Sequence, residues 1–116
     1  MIKEGKKSKA KYWGKFEVEK VVKLNKPVAC RCEELGTAFF NPTIVKLKWE
    51  TPPSDDVNKF WFPYWMTING KEKYGQFAPM IGEKALSELL VKAMQENFFS
   101  RSFLLGLKAA LDEFLS

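Results

Sequence analysis

Apolar positions along this chain change period twice, and the changes mark out its elements. Phe16, Val18, Lys20, Val22 and Leu24 roughly alternate with Lys15, Glu17, Glu19, Val21 and Lys23, which predicts a first strand ending at residues 25–27. Val28 to Glu33 reads as a short second extended segment. From Ile44 to Glu50 the alternation is cleaner: Val45, Leu47 and Trp49 point one way and Lys46, Lys48 and Glu50 the other. That is a half-buried strand with a charged outer face. Residues 51–56, Thr-Pro-Pro-Ser-Asp-Asp, read as a loop, because consecutive prolines remove ladder donors and Ser-Asp-Asp favours turns.

The run Phe60, Trp61, Phe62, Pro63, Tyr64, Trp65 holds five aromatics, more than one strand face needs to fill a core. As a strand it places Phe60, Phe62, Tyr64, Met66 and Ile68 on one face and Trp61, Trp65 and Thr67 on the other. Pro63 argues for an edge or bent strand. Asn69-Gly70 then signals a two-residue hairpin turn, since a type I′ turn needs positive φ at both central residues. In that register Ile68 faces Lys71, Trp65 faces Tyr74 and Phe62 faces Phe77. Trp61, Trp65 and Tyr74 thereby share a face with Glu72 and Gln76, while Lys71 and Lys73 lie near the turn on the other.

In the last third the spacing becomes helical. Ala85, Leu86, Leu89, Leu90, Ala93 and Met94 recur at three and four, predicting a helix over about 82–97, with Glu88 and Lys92 at the favourable i,i+4 spacing. Residues 97–100 break it, and Ser100 or Ser102 can cap a second helix. That helix is apolar over more than half its circumference, so one side is left for another subunit, with Phe103, Leu104, Leu107, Leu111, Phe114 and Leu115 as the expected contacts. Burial of the same helix inside the monomer is the competing reading. The fold expected is α+β: a small antiparallel sheet of four to five strands followed by two C-terminal helices, in a single domain over residues 13–116, with 100–116 a self-association helix.

At 116 residues one domain is the natural division. The net charge of +5 is unevenly placed, for residues 1–26 hold nine Lys against three Glu and the remainder is slightly acidic. Residues 1–12 show no apolar period and read as a flexible basic arm, which is either a phosphate contact or a solubilising tail. No apolar run is long enough to span a bilayer, and the N-terminus lacks an apolar signal core, so a cytoplasmic protein is expected.

The sequence contains no histidine, which removes the commonest general base and metal ligand. Cys30 and Cys32 lie two apart on an expected strand; two thiolates cannot close a four-ligand zinc site, and the expectation is reduced, small core residues. No spacing pairs a nucleophile with a base, and Gly70, Gly75 and Gly82 are too dispersed for a phosphate-cradling loop. A binding protein without catalysis, metal or cofactor is the expected class. The absent histidine and abundant Lys and Glu are compatible with a thermophilic source.

Tryptophan and tyrosine on one sheet face, flanked by lysine, suit single-stranded nucleic acid: stacking gives about 1–3 kcal/mol per base and lysine tracks phosphate. Trp61 and Trp65 stand roughly 13 Å apart along a strand. Lys46, Lys48, Lys71 and Lys73 are the nearest candidate phosphate contacts, and Trp13 and Lys15 extend the path. The alternative for the aromatics is a second core layer under helices or a subunit.

Tyr64-Trp65-Met66, a Gly-containing turn, then Lys73 and Gly75 ahead of an amphipathic helix resembles the end of the sheet in positive-cofactor-four-type transcriptional coactivators. Tyr74, Gln76 and Phe77 depart from the proline and basic residues usual there. The size, basic aromatic composition and apolar C-terminal helix are also similar to archaeal single-stranded-DNA-binding proteins related to ThermoDBP. Both resemblances imply single-stranded DNA as partner, and the second implies assembly through a C-terminal helical region. The expectation is therefore sequence-tolerant single-stranded DNA or RNA binding by a homo-oligomer, dimer or tetramer. The alternative is a protein-interaction module docking by its aromatic face.

Overall fold

A computed structural model of the chain describes residues 2–10, 14–32, 36–50, 59–75 and 81–116. Seven strands, β1 (Lys7–Ala10), β2 (Gly14–Lys23), β3 (Val28–Cys32), β4 (Gly36–Trp49), β5 (Phe60–Trp61), β6 (Tyr64–Ile68) and β7 (Lys71–Tyr74), precede two helices, α1 (Glu83–Gln95) and α2 (Arg101–Leu115). The architecture is α+β, a curled antiparallel sheet followed by the helices, with more strands than the four to five expected.

The extra strands arise from the way β4 is used. One edge of its C-terminal half pairs with β2, from Phe16↔Trp49 to Lys23↔Thr43, and the same edge of its N-terminal half pairs with β3, from Val28↔Phe40 to Cys32↔Gly36. The other edge carries β5 at Val45↔Trp61 and Lys46↔Phe60, then β6 from Pro42↔Tyr64 to Phe39↔Thr67. What reads as one long strand on each side of β4 is thus cut in two, by residues 24–27 on one side and by Phe62-Pro63 on the other. Pro42 is tolerated in a central strand because it falls in the gap between the β2 and β3 ladders. Thr43 N–H still reaches the Pro63 carbonyl at 3.0 Å, which keeps the opposite edge continuous.

The hairpin of β6 and β7 has the expected register, Trp65↔Tyr74 and Ile68↔Lys71, turning through Asn69 (φ 52°) and Gly70 (φ 75°). Phe77, Gln76 and the expected 51–56 loop lie outside the described residues. Within the stretch expected to be a flexible arm, β1 pairs with β2 from Lys7↔Glu17 to Ala10↔Gly14. Gly5 N–H also donates to the Val18 carbonyl at 2.7 Å. A Lys-rich edge strand satisfies its backbone from one neighbour and discourages further pairing with charge, so it needs no apolar period.

Helix α1 packs on one sheet face, where Val22, Leu24, Ile44, Leu89, Ala93 and Phe98 form a buried cluster. Its C-terminus is a Schellman motif. Phe98 N–H bonds the Ala93 carbonyl at 2.9 Å, Asn97 N–H bonds that of Met94 at 3.1 Å, and Asn97 takes φ 58°. The motif turns the chain so that Phe98 enters the core. Lys92 bonds the Lys23 carbonyl at 2.9 Å and Asn25 Oδ1 at 2.7 Å, holding α1 to the end of β2. Helix α2 begins where expected, with Ser100 Oγ accepting from Phe103 N–H at 3.2 Å, and none of its residues is buried. Among the described residues no helix is long and apolar enough to cross a membrane.

Gly75 shows a backbone approach only glycine permits. Its N–H bonds the Tyr64 carbonyl at 2.9 Å, and a Cβ there would land inside the Tyr64 ring. Gly75→Ala is expected to lower stability by about 1–3 kcal/mol, the usual cost of overpacking. Urea denaturation checks this, and an unchanged midpoint would contradict the packing.

Candidate nucleic-acid interface

Paired residues of an antiparallel ladder project to the same face, so the registers assign every strand side chain to one of two surfaces. Trp61 pairs with Val45, and Trp65 pairs with both Asn41 and Tyr74, which puts these aromatics on the face opposite α1. Trp65 and Tyr74 have ring centroids 5.5 Å apart, and Trp61 and Tyr74 6.3 Å apart. The three rings expected to share a face therefore do so. Their exposure differs sharply: Trp65 is 8% exposed and Tyr74 52%. Trp65 is a core residue, Trp61 packs against the buried Val18, Val45 and Leu47 cluster, and the open ring of the group is Tyr74.

The lysines lie elsewhere. Lys46 pairs with Phe60 and with Lys20, and Lys48 with Glu17, on the α1 face. Lys71 and Lys73 pair with Ile68 and Met66, also on the face opposite the tryptophans and at the far end of the sheet. The structure thus brings Trp61, Trp65 and Tyr74 together and sets none of Lys46, Lys48, Lys71 or Lys73 beside them. Trp13 lies outside the described residues.

A different grouping emerges on the α1 side. Helix α1 covers the end of that face near Val22 and Ile44, and three cross-strand rows continue beyond it. One holds Lys20, Lys46 and Phe60; the next holds Lys7, Glu17 and Lys48; the outermost holds Lys9 and Lys15, with Glu50 N–H bonded to the Lys15 carbonyl at 3.1 Å. Each row carries two lysines, and successive rows are about 7 Å apart at roughly 3.4 Å per residue. Lys7, Lys9, Lys15 and Lys48 are exposed. Lys20 Nζ donates to the Glu96 carbonyl at 2.7 Å, a cation on the C-terminal turn of α1. Glu17 and Glu50 are the carboxylates among them, so the patch is basic by a clear margin.

Where this patch meets the helices, the rings of Phe60 and Phe99 lie 5.4 Å apart and those of Phe99 and Phe103 5.0 Å apart. They flank a shallow groove of about 310 Å³ that Lys46, Lys59 and Ser100 also line. Phe103 is 46% exposed. The sheet face supplies cations and the helix junction supplies partly open aromatic rings. Lys46, Lys48 and Lys15 were legible as candidates in the sequence. Lys7 and Lys9 belong to the basic arm that the sequence offers as a phosphate contact or a solubilising tail; Lys59, Phe60, Phe99 and Phe103 carry no such signal, because only the long-range pairing puts them on one surface. Among the described residues no three carboxylate or cysteine side chains cluster as a metal site.

The burial of Trp65 makes its role checkable. Trp65→Ala is expected to cost about 3–5 kcal/mol, as for a core aromatic, whereas Tyr74→Ala should cost roughly 1 kcal/mol, the scale of a ring pair. Chemical denaturation followed by far-UV circular dichroism separates them; equal costs would contradict the assignment. No protein-family model matches this chain, and neither a curated protein nor a solved structure matches it.

Proposed function

We propose that this protein binds single-stranded DNA or RNA without strong sequence preference, through the lysine rows of the α1-side sheet face and the aromatic groove at their end. The observation that carries this reading is the succession of three cross-strand rows with two lysines each, running to Phe60, Phe99 and Phe103. Lysines along a sheet neutralise successive phosphates and release counterions, and a splayed base stacks on an open ring. The active form is a homo-oligomer joined through α2. Catalysis is not part of the reading, and the protein acts in the cytoplasm.

A second reading, a protein-interaction module, is favoured by Tyr74 and Phe39, about half exposed on the tryptophan face. Salt distinguishes the two, because phosphate contacts weaken steeply with salt and an aromatic protein interface does not.

The test is fluorescence anisotropy of a labelled mixed-sequence oligonucleotide, single-stranded and duplex, over a range of salt. Single-strand preference is expected. Each phosphate contact contributes about 0.7 to the slope of log K against log salt, so Lys46→Ala/Lys48→Ala should flatten it by about 1.4. Tyr74→Ala should leave affinity unchanged. No binding at low salt by the folded wild type would sink this function.

A further inference from the structure

Helix α2 runs for 15 residues, about 22 Å, with no residue buried. Phe114 is 86% exposed and Leu115 83%. The radius of gyration is 16.1 Å, above the roughly 13 Å of a compact chain of this length. A helix this apolar is stable in water only when its stripe is covered.

The stripe is self-complementary. Leu104, Leu107, Leu111 and Phe114 are spaced three, four and three, the a and d positions of two heptads. Phe103 and Leu115 flank that seam at its two ends. The charges are placed against the helix's own dipole: Arg101 opens the helix, the first turn has no acid, and the last turn has no base. Lys108 and Asp112 neutralise one another at 3.0 Å.

We propose that two copies of this chain pair through α2 in antiparallel fashion about a two-fold axis. Leu104 lies opposite Phe114 of the second copy, and Leu107 opposite its Leu111. All four seam residues are matched in this one register, a large side chain against a large one in every layer. Arg101 of each copy then lies against the C-terminal turn of the other, where the dipole is negative, so the charge that is misplaced within one helix becomes favourable across the pair. A parallel pair would instead bring the two Arg101 side chains and the two positive helix ends together. This arrangement rests on the reading of α2 as the self-association element, and the experiment keeps the two separable.

Sedimentation of the full chain is compared for wild type and Leu107→Glu/Leu111→Glu. The substitutions lie outside the core, so the fold is retained and circular dichroism verifies it. Disulfide trapping then uses Leu104→Cys and Phe114→Cys, each in a Cys30→Ser/Cys32→Ser background, alone and mixed. The expected result is a dimer that the double glutamate variant loses, and a disulfide-linked species formed in the mixture but in neither variant alone. Linkage within either variant alone, or none in the mixture, would overturn the antiparallel register while self-association stands. A glutamate variant that remains dimeric would remove α2 from the interface, and a monomeric wild type would overturn self-association and register together.

Discussion

The interruption of β4's neighbours at Pro42 is the constraint from which the rest of the structure follows. A 14-residue strand with continuous partners on both edges would make one broad sheet with two large faces to cover, too much for a chain that supplies two short helices. Ending the β2 ladder at Thr43 and beginning the β3 ladder at Phe40 leaves Asn41 and Pro42 in the gap. Phe62-Pro63 makes a matching break on the opposite edge. The sheet can curl at this line, and α1 needs to seal only the region around Val22, Leu24 and Ile44.

That economy has a consequence for the surface. Beyond α1, the same face continues onto β1, β2 and the C-terminal half of β4 with no helix over it among the described residues, and the residues there are mostly lysines where the other face has Val18, Val45 and Leu47. The two faces have divided the chain's chemistry. The tryptophans serve packing, with Trp65 nearly closed off and Trp61 against Val45, while the cations gather where phenylalanines from the helix junction meet the sheet. A strand-by-strand tally of aromatic and basic residues misses this division, since Trp61 and Lys46 are near in space yet project to opposite sides.

What was legible in the sequence was local. Asn69-Gly70 fixed the β6–β7 hairpin and its register, the alternation at 44–50 gave the correct faces, and the three-four spacings gave both helices within about two residues. Three features resisted. β1 has no apolar period because an edge strand of alternating Lys and small residues can be held through its backbone ladder. The N-terminal half of β4 hides because Phe39, Phe40, Asn41 and Pro42 do not alternate, and a proline argues against a central strand unless its partner strand happens to be broken beside it. The face shared by Lys46, Lys48 and the phenylalanines depends on pairings between residues far apart in sequence, which no local pattern encodes. The Glu88 and Lys92 spacing shows a related limit: Lys92 instead caps the Lys23 carbonyl and Asn25, a tertiary partner that outcompetes an exposed helical ion pair.

Phe103 belongs to both surfaces, and this joins them physically. Its ring meets Phe99 at the end of the aromatic groove, and it also starts the apolar stripe of α2. A second copy covering that stripe, as proposed, would immobilise Phe103 on one side and leave Phe60 and Phe99 beside Lys46 as the part of the groove open to a base. Fixing a ring before a ligand arrives removes ordering entropy that binding would otherwise have to overcome. Pairing the helices would also place two basic sheet faces in one particle, and a flexible strand that reaches both gains from effective concentration without any new contact. If the proposed assembly through α2 and the proposed binding on the sheet both hold, they would reinforce one another, and Phe103 is the side chain placed to couple them.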